Sequence, residues 1–318
     1  MAFIMLIGIV AAPQSIPAET ANMNEVRECV VMVSVWAELD DVGELQSGWG
    51  TGFFVGKEGS EVQYVVTNHH VIENFINYGR GKKTKKIPVA EINKELYLYD
   101  ETMGNNVDEL YFLTGKMKVR VYFDSRDFVE AYVVDYDDVK DIALLALDNP
   151  TDKRRGLALG SPTDEMVGSD VYVVGYPGVA ENYFADATSS WDVSDASVAT
   201  GVISRLLTTA GTGVKRIQTD AVIQHGNSGG PMVNENGVVI GINSNAVLEV
   251  EKNYYAINID ELIPMLKLHD VEYQMMSAEA DGKDDSFEGS ETGGADANAA
   301  GALTGDKSSG GEGSGIVV

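Results

Sequence analysis

The chain predicts an all-β fold closed by one short helix and followed by a tail without a core. Three observations predict it. Short runs of β-branched and aromatic residues recur at 30–35, 51–55, 64–72, 118–123, 128–134, 171–175 and 216–219, punctuated by Gly, Pro, Asn, Asp and Ser, the residues that turn a chain. Residues 259–269 carry a helical spacing that sets Ile259, Leu262, Ile263 and Leu266 on one face. After about Gln274 the composition shifts to Gly, Ser, Ala, Asp and Glu. Such a stretch cannot bury enough apolar surface to offset its own ordering entropy, so residues 278–318 are expected to be disordered.

At 318 residues and 44% hydrophobic content there is material for one globular unit of two subdomains. A formal net charge of -26, from 23 basic and 49 acidic residues, argues against nucleic acid or an anionic membrane surface as partner. The single Cys29 excludes an intramolecular disulfide, and its neighbours Val30 and Val31 point to a buried cysteine rather than a reactive thiol. Residues 3–12 are apolar and lead into Pro13 and Ala18, which reads as a secretory signal segment over 1–18 with cleavage near Ala18. A buried terminal strand or helix is the competing reading. The run is too short to cross a bilayer, and no later segment is long and apolar enough.

Taken in order, the first two strands are joined by a polar loop, and residues 48–52 are punctuated by glycine, as where a strand bends sharply. The run at 64–72 ends on His69 and His70. Neighbours on a strand face opposite ways, so only one of the pair addresses a given site. A metal reading fails on the same ground, with no cysteine or third histidine at ligand spacing. The stretch 73–118 interrupts the strands and holds the basic run Arg80, Lys82, Lys83, Lys85 and Lys86. It reads either as a solvated loop or as an accessory loop that recruits acidic substrates or docks the acidic tail. A hairpin follows, turning at 124–127, and then Asp135, Asp137, Asp138 and Asp141 crowd ahead of the buried-looking run Ile142 to Leu147. No Gly-centred twelve-residue loop ending in Glu accompanies them, so calcium is not indicated. Residues 149–162 are rich in turns and mark a link between subdomains, while 179–197 form a second polar interruption.

The stretch Gly226-Asn227-Ser228-Gly229-Gly230-Pro231 is the chemical focus. Its glycines accept unusual backbone angles, so that N–H groups beside Ser228 can converge on one point. Alone it reads equally as a plain loop. With a histidine and an aspartate upstream, the order His, Asp, Ser matches one of the known arrangements of a serine nucleophile with its base and orienting carboxylate.

At this point the sequence resembles the HtrA (Deg) branch of the trypsin-like serine proteases, roughly from residue 25 to 267. The resemblance is carried by residues 50–55, 66–71 with Thr67-Asn68-His69-His70-Val71, 141–145, 217–221, 226–231 and 239–243. It implies two Greek-key six-stranded β-barrels with a C-terminal helix: a protease domain over 25–272, barrel one about 25–150, barrel two about 157–258 and a closing helix at 259–269. It also implies a triad of Ser228 as nucleophile, His70 as general base and Asp141 as its orienting carboxylate, with an oxyanion hole from the N–H groups of Gly226 and Ser228. No metal or organic cofactor is expected. The segment before the nucleophile shapes the specificity pocket in this clan, and Val222 and Ile223 there imply cleavage after small apolar side chains. His225 stands where the family commonly has proline, and reads as a substrate contact or a solvent-facing loop residue. The strand 237–244, with Asn243 and Ser244, is expected to pair with an extended substrate, which implies unfolded or flexible polypeptides as partners. Family members often form homo-oligomers, trimers among them. They usually carry a PDZ domain after the protease domain, and no such pattern follows here. The last residues, 315–318, read as a free end or as the start of a membrane anchor. The rival function is a peptide-binding or chaperone-like barrel without useful turnover, and a third is a protease held latent by its insertions or tail.

Overall fold

The computed structural model describes residues 22–39, 43–76, 117–177, 196–244 and 253–278. The expected signal segment, the basic run at 80–86, most of the interruptions at 73–118 and 179–197, and all but the first residue of the acidic tail lie outside the described residues. After a one-turn helix α1 (Met23–Arg27) come six strands: β1 (Val30–Leu39), β2 (Gly43–Val55), β3 (Val62–Thr67), β4 (Lys118–Tyr122), β5 (Phe128–Asp137) and β6 (Ile142–Thr151). A second six follow: β7 (Asp170–Gly175), β8 (Ser197–Thr208), β9 (Lys215–Thr219), β10 (Pro231–Asn234), β11 (Val239–Ser244) and β12 (Tyr254–Asn258). The first set closes in the order β1-β2-β3-β6-β5-β4 and the second in the equivalent order β7-β8-β9-β12-β11-β10. All pairings between these twelve strands are antiparallel, and the two closed barrels are the expected double barrel.

Strand alternation explains where the core sits. Val31, Val33 and Val35 of β1, Phe54 of β2 and Ala143, Leu145 and Leu147 of β6 pack inside the first barrel. Their neighbours Val30, Met32, Phe53, Val55, Ile142 and Leu144 pack instead with Val174, Val233, Ile242 and Ile257 of the second barrel. Strands buried on both faces appear in the sequence as unbroken apolar runs rather than as clean alternation. Each such side chain contributes about 1.5–3 kcal/mol relative to exposure, so this shared layer fixes one barrel against the other.

The predicted hairpin is present, with Tyr122 opposite Phe128 and the turn held by Asp124 Oδ1, which accepts from the N–H groups of Arg126 and Asp127 at 2.7 and 2.8 Å. Cys29 is buried just ahead of β1, and burial pushes its thiol pKa up.

Two expectations are corrected and one is extended. The histidines are not on a strand: β3 ends at Thr67, and His69 and His70 open a helix, α2 (His69–Asn74). They still diverge, because successive helical residues are rotated by about 100°. The bend expected at 48–52 is present as a bulge, with Val35 opposite Gly48 and Trp36 opposite Gln46, but Gly50 is required by close approach. A side chain begun at Gly50 would lie 2.5 Å from Val71 of α2 and 2.8 Å from the Ser228 carbonyl. The closing helix is shorter than 259–269: a 3-10 turn (Ile259–Glu261) leads into α3 (Ile263–Leu268), where Pro264 is tolerated in the first turn because its missing N–H has no partner there. Ile259, Leu262 and Leu266 are fully buried, as their spacing demanded.

Candidate active site

His70 is the second residue of α2, and Asn68 precedes that helix as its cap. Instead of capping, Asn68 Nδ2 donates to the Asp141 carbonyl at 2.8 Å. Asp141 sits immediately before β6 with φ +62°, a left-handed conformation that Asp tolerates better than most residues. The turn swings its carboxylate onto the start of α2. There Oδ1 accepts from the His70 backbone N–H at 3.0 Å, and the His70 ring Nδ1 lies 3.0 and 2.9 Å from Oδ1 and Oδ2. Ser244 Oγ donates to Oδ2 at 2.8 Å. Burial opposes ionisation of this carboxyl, but the hydrogen bonds from His70 and Ser244 outweigh it and hold its pKa below the ordinary carboxylate value. A carboxylate only accepts, so Nδ1 carries a proton, and it is Nε2 that presents a lone pair in the neutral ring. The His70 side chain is 36% exposed and can meet a ligand.

Ser228 lies on the loop between β9 and β10, only 4% exposed. Gly226 at φ +97° and Gly229 at φ +84° permit its sharp course. The loop is secured by backbone bonds: Asn227 N to Gln224 O at 3.0 Å, Gly230 N to Asn227 O at 3.0 Å, and Gly229 N to Asn243 O at 2.9 Å. Two more reach across from β2, where Thr51 N donates to Ser228 O at 2.8 Å and Thr51 Oγ1 donates to Gly226 O at 2.6 Å. The N–H groups of Gly226 and Ser228 have no acceptor among the described residues, which leaves two donors free for a developing negative charge.

The remaining site residues divide. Val222 is 40% exposed, whereas Ile223 is 2% exposed and packs in the core of the second barrel with Met166, Ile203 and Met232. Ile223 therefore cannot floor an open pocket, since its apolar side chain is consumed by the core. His225 is exposed. Of the strand 237–244, expected to pair with an extended substrate, residues 239–242 are already paired with β10 and residues 241–244 with β12, so that expectation is corrected for residues 239–242, which lie inside the barrel. Asn243 is fully buried, its Nδ2 donating to Pro231 O at 3.0 Å. His69 stacks on Tyr136, ring centroids 5.1 Å apart. No group of three His, Cys, Asp or Glu suited to a metal occurs among the described residues. Sequence reasoning missed two contacts: Ser244 on the Asp141 carboxylate, and Thr51 on the Ser228 loop. The one signal for the latter was a hydroxyl flanked by glycines in Gly50-Thr51-Gly52.

Comparison with known proteins agrees with this geometry. Residues 50–242 match the family model described as a trypsin-like peptidase domain. The chain is 32% identical over 210 residues to Protease Do-like 1, chloroplastic, of Arabidopsis thaliana, covering 64% of this chain and 34% of that protein. It is 35% identical over 147 residues to Serine protease HTRA4 of Mus musculus and 35% over 136 residues to Serine protease HTRA3 of Homo sapiens, covering 44% and 41% of this chain and 27% of each relative. The matches thus span about a third or less of these relatives' length. The double barrel and the family match covering most of it agree: the chain belongs to the trypsin-like peptidase domain family, with HtrA/Deg serine proteases among its relatives.

Proposed function

We propose that the protein is a serine endopeptidase acting through Ser228, His70 and Asp141. The observation that carries this is the His70–Asp141 pair, with Nδ1 committed to the carboxylate and Nε2 left as a base. Ser228 Oγ attacks the peptide carbonyl carbon as its proton passes to His70 Nε2. The carbonyl oxygen becomes an anion received by the N–H groups of Gly226 and Ser228. The C–N bond then breaks as His70 returns the proton to the leaving amine, and water repeats the sequence to free the acyl group. Each oxyanion donor is worth about 3–4 kcal/mol in such sites. Among the described residues no hydrogen bond joins Ser228 Oγ to His70, and in unliganded enzymes this bond is commonly long and tightens with substrate.

Flexible or unfolded polypeptides are the substrates this reading favours, with an apolar side chain before the scissile bond. Support comes from the exposed Val222 ahead of the nucleophile loop and the absence of a carboxylate from residues 221–225. Export with cleavage near Ala18 is part of the same reading, supported by the apolar run at 3–12, and amino-terminal sequencing of the mature protein tests it.

The deciding experiment is labelling of the full chain with a fluorophosphonate probe, with Ser228→Ala as control and fluorescent casein as substrate. Labelling lost in the control, together with casein turnover, is the expected result. A folded chain that binds casein but neither labels nor cleaves it replaces this reading with that of a peptide-binding barrel.

A further inference from the structure

The two donors of the oxyanion hole lie on the His225–Gly226 and Asn227–Ser228 peptide planes, so whatever orients those planes orients the hole. The second is anchored directly, since its carbonyl accepts from Gly230 N at 3.0 Å. Between the two, the Gly226–Asn227 plane is held at both edges: its N–H donates to Gln224 O at 3.0 Å, and its carbonyl accepts from Thr51 Oγ1 at 2.6 Å. Beyond them, the Ser228–Gly229 plane is held by Asn243 O and by Thr51 N, at 2.9 and 2.8 Å. Thr51 therefore grips the carbonyls of both donor residues, and does so from the other barrel. The His225–Gly226 plane has no hydrogen bond of its own among the described residues. The direction of Gly226 N–H rests on the φ of Gly226, +97°, and on the next plane, which the Thr51 hydroxyl holds.

The polarity of that hydroxyl is determined. Oγ1 accepts from Tyr176 N at 3.0 Å, an amide that can only donate, so its single proton goes to Gly226 O. Thr51 is fully buried. A side chain begun at Gly175 would lie 2.7 Å from Oγ1, and one begun at Gly230 2.9 Å from Cγ2. Both glycines therefore let the backbone close directly onto the Thr51 side chain.

We infer that Thr51 is a positioning residue for the oxyanion hole, its side-chain hydroxyl orienting Gly226 through the Gly226 carbonyl. This rests on Ser228 being the nucleophile. In the test reaction the Ser228 Oγ–P bond forms, the P–F bond breaks, fluoride leaves and the Oγ proton passes to His70, while the phosphoryl oxygen occupies the hole. Thr51→Ser and Thr51→Ala differ by that one hydroxyl, so the pair separates its role from packing. The full-length chain and both variants are reacted with the fluorophosphonate, and the limiting inactivation rate is resolved from the apparent binding constant. Thr51→Ala should lower the limiting rate by roughly 10-fold or more with little change in the binding constant. Thr51→Ser should stay near wild type, and the pH midpoint of the rate, which reports the base, should be the same in all three. Near-wild-type rates in Thr51→Ala overturn the inference, and so does an equal loss in Thr51→Ser. If Thr51→Ala does not fold, Thr51→Val read against Thr51→Ser decides by the same criteria. A wild-type chain that does not label removes the nucleophile reading itself, and this inference with it.

Discussion

His70 and Asp141 belong to the first barrel and are joined side chain to side chain, whereas Ser228 stands on a loop of the second barrel held almost wholly through backbone groups. The carboxylate of Asp141 gathers the His70 ring, the His70 backbone N–H and the Ser244 hydroxyl. The Ser228 loop gathers Gln224 O, Asn243 O and both donors of Thr51. Each half also takes a contact from the opposite barrel, Ser244 onto Asp141 and Thr51 onto the loop. The cross-barrel layer of apolar residues therefore sets the site geometry as well as the stability, and the two halves should break differently.

The largest expected effect is in the loop half. Ser228→Ala should abolish labelling and reduce casein turnover on the order of 10⁶-fold, as nucleophile removal does in related chemistry. Next, Asp141→Asn should lower kcat by about 10⁴-fold, because an amide cannot enforce the same tautomer of His70. KM and the circular dichroism spectrum should change little. A smaller loss, about 10-fold in kcat, is expected for Ser244→Ala, which removes one donor from a carboxylate that keeps its others. An effect as large as that of Asp141→Asn would show that the two barrels are less rigidly joined than the shared core implies.

Stability against acid sharpens the same comparison. Asp141 has a folded pKa below its unfolded value. The stability it contributes is full above the unfolded pKa and is lost as pH falls through the folded one. Melting temperature should therefore fall more steeply in wild type than in Asp141→Asn below about pH 4. Equal slopes would mean that the carboxylate is not stabilised by its partners. The smallest effect concerns Cys29, whose buried, proton-retaining thiol should ignore a disulfide reagent in the native protein and react once denatured. Reaction at a free-thiol rate in the folded protein would show that the region around α1 opens.

Legibility in the sequence followed the range of the interactions. The hairpin of β4 and β5 was plain because its alternation and its Asp124 turn are local. The order of His70, Asp141 and Ser228 and the glycines around the serine were plain because the chemistry restricts residue types. His70 was misplaced on a strand because Val65 and Val66 continue into Val71 and Ile72 without an obvious break, and Asn68, the natural cap, spends its side chain on Asp141 instead. Ile223 was misread because an apolar residue beside a nucleophile loop looks the same whether it lines a pocket or fills a core.

By itself the sequence determined the all-β class, the run of strands and the residue types available for catalysis, since strand periodicity and turn chemistry act over a few residues. Only the tertiary structure decided that β11 is paired on both edges, that Ser244 reaches Asp141, and that Thr51 meets Gly226 across 175 positions of chain. Those contacts depend on how two closed barrels are seated on one another, and that seating is set by the summed packing of a shared core, which no short window of sequence contains.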